Sequence, residues 1–99
     1  MAKPFSEESA EISGANIIKV TVGTNTPRGG DAGHGGKTSI KLESNNTSWK
    51  IKVKSTDGKT YQSDNPEEIM LELYGDSEAS TIINALKFAV ATLERQIKN

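Results

Sequence analysis

Residues 24–38, Thr-Asn-Thr-Pro-Arg-Gly-Gly-Asp-Ala-Gly-His-Gly-Gly-Lys-Thr, hold most of what could do chemistry in this 99-residue chain. Five of the nine glycines lie between Gly29 and Gly36, with the single histidine, His34, and one of the two arginines, Arg28. Glycine loses more backbone entropy on folding than any other residue. An ordered glycine run therefore serves the close approach of backbone to a ligand, or else merely connects two elements. Successive N–H groups at Gly29, Gly30, Gly33, Gly35 and Gly36 would form a concave anion nest. Arg28, His34 and Lys37 would add charge, Thr24, Thr26 and Thr38 hydroxyl donors, and Asp31 a polar acceptor. Phosphate or a nucleotide is the natural ligand class. The plainer alternative is a flexible strand connection, although connections this long are usually functional or disordered.

Hydrolysis by a P-loop is ruled out by spacing. Gly36-Lys37-Thr38 copies the end of that motif, but the position five residues before Gly36 holds Asp31, and an alternating strand rather than a helix follows. A dinucleotide fingerprint fails because no βαβ unit follows the loop. Asp31 and His34 make an incomplete acid/base pair and a poor metal set. The absence of cysteine removes thiol nucleophiles, disulfides and zinc–thiolate sites. No catalytic residue, metal or cofactor is expected, so the chain reads as a binding protein and not an enzyme.

Charge is unevenly spread. Residues 16–63 carry eight Lys or Arg against three acids, whereas residues 64–99 carry three against seven. A basic segment around the loop suits an anionic ligand, and it equally suits an acidic face of the same chain or of another subunit. Lys50, Lys52 and Lys54, with Lys41 and Lys19, form a basic outer sheet face. A nucleic-acid platform would need aromatics interleaved there, and Trp49 and Tyr61 fall on the opposite face, which favours a solvated face.

The elements that must carry the loop follow from periodicity. Residues 1–15 show no sustained pattern and are expected to form a disordered arm, leaving 16–99 as a single α+β domain. Alternation predicts strands from Asn16 through Val22, around Ile40 and Leu42, over Trp49–Lys54 and over Thr60–Ser63. Asp57-Gly58 reads as a three-residue hairpin loop with Gly58 in the left-handed bulge position. Val53 then pairs with Ser63, and Tyr61 shares the face of Val53 and Ile51. Asn65-Pro66-Glu67-Glu68 predicts the start of a short helix ending at Gly75. A long helix over roughly 77 to 97 carries the stripe Ala79, Ile82, Ile83, Leu86, Ala89, Val90, Leu93 and Ile97. A second, narrower stripe runs through Phe88. The expected architecture is a four-stranded antiparallel β-meander packed on one face by this helical C-terminus, with a homo-oligomer assembled through the long helix.

No stretch is long and apolar enough for a membrane span, and the N-terminus lacks the apolar core of a secretory signal, so a soluble cytoplasmic protein is expected. In size, meander, terminal helix and the Gly29–Lys37 loop, the chain resembles small phage-encoded anti-defence sponge proteins, which sequester cyclic nucleotide immune signals without cleaving them. The resemblance implies a ligand at a subunit junction, with loop backbone on its phosphates and an aromatic such as Trp49 or Tyr61 on a base. The competing classes are a structural or protein-interaction module using the acidic C-terminal helix and a small nucleic-acid-binding regulator.

Overall fold

In the computed structural model, residues 4–29 and 35–98 are described. The protein is α+β. Strands β1 (Ser6–Ser13), β2 (Ile17–Thr24), β3 (Lys37–Glu43), β4 (Lys50–Lys54), β5 (Thr60–Asp64) and β6 (Glu68–Tyr74) precede one long helix, α1 (Asp76–Lys98). β1, β2, β3 and β6 form a four-stranded antiparallel sheet in the order β1-β2-β3-β6, and β4 and β5 form a separate two-stranded sheet. Two compact units are defined, one of residues 1–6, 23–38 and 72–99, the other of residues 7–22 and 39–71.

Three expectations are corrected. The first concerns the N-terminal segment, where Ser6–Ser13 is a strand rather than part of a loose arm. Every residue of β1 is exposed, so neither of its faces advertises burial by alternating polarity. A tight turn joins it to β2, closed by the Gly14 amide donating to the Asn16 carbonyl, and the Ser9 and Thr21 hydroxyls meet at 3.1 Å.

The second correction is β6. Asn65 does not cap a helix. It adopts a left-handed conformation at φ 50°, its amide donates to the Trp49 carbonyl, and its side-chain oxygen accepts the Trp49 amide. The following residues then extend as a strand. Ile69 and Leu73 are half-buried on one side, while Glu68, Met70, Glu72 and Tyr74 alternate with them and are exposed. The Ser44 amide donates to the Glu67 carbonyl just before this strand.

The third correction is strand order. β4 and β5 leave the main sheet as a hairpin, so the sheet is not a meander of the four expected strands. The hairpin does have a three-residue loop, with the Ser55 amide bonded to the Lys59 carbonyl and Gly58 at φ 88°. Its register differs by two: Val53 lies opposite Tyr61, and Ser63 opposite Ile51. Tyr61 still shares a face with Val53 and Ile51, but both Val53 and Tyr61 are exposed rather than turned into a core.

α1 begins one residue earlier than expected. Gly75 accepts the first helical bond, from the Ala79 amide, and Asp76 and Glu78 in the first turn oppose Arg95 and Lys98 in the last, matching the helix dipole. Among the described residues Ala79 is the one buried apolar side chain, and no large side chain is fully buried. No helix of the described residues is long and apolar enough to cross a membrane.

Candidate functional site

The glycine loop leaves β2 and returns to β3, and its two ends are tied together by short polar side chains. The Thr24 hydroxyl lies 2.9 Å from that of Thr38 across the two strands and 3.0 Å from that of Thr26. It also accepts the Thr26 amide at 3.1 Å, the local turn that a threonine hydroxyl forms two residues on. Asn25, largely buried, accepts the Lys37 amide at 2.7 Å and returns its own amide to the Lys37 carbonyl. The three threonines expected to supply donors to a ligand are therefore joined to one another, as a cross-strand clasp.

Gly36 lies where this clasp meets the start of α1. A methyl group there would approach the Thr26 backbone at 2.8 and 2.9 Å, closer than real side chains come. Only glycine fits without displacing Thr26. The Gly36 carbonyl accepts the amide of Gly75, and the Gly36 amide donates to the side chain of the next residue, Asp76.

Asp76 organises the site. Its carboxylate accepts the Gly36 amide at 3.1 Å, the Gly29 amide at 2.7 Å, and the Arg28 amide at 3.1 and 3.0 Å through its two oxygens. Among the described residues, three loop amides thus converge on one carboxylate at the positive end of the α1 dipole, the geometry of an oxyanion receptor. Gly29 reaches it with φ 81°, a conformation open to glycine at little cost. Of the glycines expected to line an anion nest, Gly29 and Gly36 donate their amides, with that of Arg28, to the chain's own Asp76.

The remaining candidates divide. Arg28 is exposed, as is Gly35, which stands at φ 113°. The Lys37 ammonium pairs with Glu72 at 2.9 Å and lies over the Phe5 ring, 5.4 Å from its centroid. Gly30, Asp31, Gly33 and His34 lie outside the described residues. Trp49 and Tyr61 belong to the other compact unit. The Trp49 indole N–H donates to the Pro66 carbonyl at 2.6 Å, which fixes the ring against the turn after β5. Lys50, Lys52 and Lys54 point to the face of β4 opposite Val53 and Tyr61, with Lys50 4.0 Å from Asp64, so the lysine face is not interleaved with aromatics.

Asp76, Gly75, Glu72 and Asn25 were not among the expected site residues. Asp76 is separated from Arg28 by 48 positions, and no short-range pattern links them. The one available signal was an acid immediately after a glycine, next to the expected start of the long helix. No group of three or more metal-ligating side chains is present among the described residues. No family model, curated protein or solved structure matches the chain.

Proposed function

We propose that this protein is a non-catalytic binder of a phosphate-bearing anion, a nucleotide or cyclic nucleotide, held by the 24–38 loop in an oligomer assembled through α1. The observation that supports the reading is the convergence of the Arg28, Gly29 and Gly36 amides on a single carboxylate. Phosphate oxygens accept the same donors in the same arrangement, and a dianionic phosphate gains more from them than a carboxylate does. The ligand enters by displacing the Asp76 side chain, with Arg28 free in position to add a guanidinium from the exposed side. Asp76 acts as a placeholder that keeps these amides aimed while no ligand is bound. With no reactive set to cleave it, the ligand is sequestered, the role that the resemblance to sponge proteins implies.

A thermal-shift panel of mono-, di- and cyclic nucleotides tests this directly. A ligand that binds only the folded state stabilises by about 2.7 kcal/mol at a hundredfold excess over Kd. For a domain this small that raises Tm by more than 10 °C at about 4–8 °C per kcal/mol. A panel with no shift for the wild-type protein overturns the reading.

The second reading is a protein-interaction module in which the Asp76 contact is only a latch. The occupation of the amides by Asp76 and the pairing of Lys37 with Glu72 favour it. Co-purification with a defined protein partner, unchanged by Arg28→Ala and Lys37→Ala, distinguishes it.

A further inference from the structure

We propose that α1 pairs in parallel with α1 of a second copy of this chain, as a two-stranded coiled coil with the seam Ile83, Leu86, Val90, Leu93 and Ile97. The proposal deepens the assembly part of the reading above by naming the partner, the residues and the orientation. Its tests read mass and cross-linking, so it can fail while nucleotide binding stands.

The spacing of the seam residues is 3, 4, 3, 4, the heptad interval of an a/d seam. β-branched Ile83, Val90 and Ile97 fall at a, and Leu86 and Leu93 at d. That distribution favours two parallel strands over trimers or tetramers. No charge interrupts the seam, and Lys87 and Glu94 flank it at e, where their stems cover its edge. The frame begins at Ile83 because Ala79, the preceding d position, is already buried.

The seam is not covered by its own subunit. Ile83 is 48% exposed, Leu86 45%, Val90 56%, Leu93 55% and Ile97 82%. At roughly 200 Å² for a fully exposed large side chain, these five leave about 570 Å² open on one helix, and a symmetric pair that covered all of it would bury about 1,100 Å², just above the threshold of a specific interface. A second copy is the occupant because, among the described residues, Ala79 is the one buried apolar side chain and no large side chain is fully buried. Such a chain gains further burial most directly by association. A two-fold axis along the seam makes every contact self-complementary. Parallel pairing also sets the two Asp76 residues, one at the start of each helix, at the same end of the dimer.

Sedimentation equilibrium on the full chain should give twice the 10.6 kDa subunit mass. Leu93→Glu should raise the dimer dissociation constant at least 100-fold. Ile97→Glu, in the last turn and too exposed to matter for folding, should raise it at least tenfold. Phe88→Glu is the control: 72% exposed and at the f position of the same frame, it should leave the dimer intact. Orientation is read by Ile97→Cys, the sole thiol in a chain without cysteine. Under mild oxidation it should give a disulfide-linked dimer, because a parallel seam brings the two copies of position 97 together. A wild-type monomer, trimer or tetramer overturns the proposal. So does dissociation by Phe88→Glu to the same degree as by Leu93→Glu, or a dimer in which Ile97→Cys does not cross-link.

Discussion

The Gly29 amide donates to Oδ2 of Asp76 at 2.7 Å, joining the first glycine of the loop to the first residue of α1 across 47 positions of sequence. This bond, with those from Arg28 and Gly36, gives the loop's backbone donors an acceptor and gives the helix start an anion. The start and end of the loop and the start of the helix thus share one carboxylate.

Replacing Asp76 therefore has two opposed effects. Asp76→Ala removes the acceptor of the Arg28, Gly29 and Gly36 amides, the first two exposed enough for water to substitute, and should cost about 1–2 kcal/mol. In a domain of this size that lowers Tm by about 4–16 °C, at about 4–8 °C per kcal/mol. The same substitution empties the receptor, so nucleotide affinity should rise relative to wild type. Urea denaturation and calorimetric titration of the one variant measure both. A variant that loses stability and gains no affinity would make Asp76 a structural latch alone.

Gly36→Ala should be more damaging than Gly29→Ala, although Gly29 has the positive φ. At Gly36 a methyl group meets the Thr26 backbone at 2.8 Å, whereas at Gly29 nothing lies within 4 Å. Overpacking against backbone costs about 1–3 kcal/mol or more, and a left-handed alanine about 1–2 kcal/mol. The midpoints of chemical denaturation rank the two, and the reverse order would place the tight contact elsewhere.

Trp49→Phe should cost about 1 kcal/mol, the net worth of the indole hydrogen bond to the Pro66 carbonyl, and should leave nucleotide binding intact. The check is a denaturation curve followed by circular dichroism, with titration of the variant beside it. Loss of binding in a stably folded Trp49→Phe protein would instead make the ring a base platform.

The elements that could be read from the sequence were those whose period was unambiguous. Alternation marked β2, β3 and β4, Asp57-Gly58 marked the hairpin and its three-residue loop, and the 3.6-residue stripe marked α1. β6 was obscured because Asn65-Pro66-Glu67-Glu68 imitates a helix start and because Glu, Met and Leu, which fill the strand, are good helix formers. Its alternating Ile69 and Leu73 are half-buried at most, so the period-two signal was weak. β1 has no apolar face to alternate, and only pairing with β2 makes it a strand. In the site, the clustering of donors could be anticipated from glycine and threonine content. Their acceptor could not, because Asp76 reaches the loop through tertiary structure alone.

Recognition of an oxyanion by the loop amides is tested most directly by amide NMR of the ¹⁵N-labelled protein, titrated with a nucleotide active in the thermal-shift panel. The Arg28, Gly29 and Gly36 resonances should shift together and saturate with one dissociation constant. Saturable shifts confined to other residues, with these three unmoved, would contradict it.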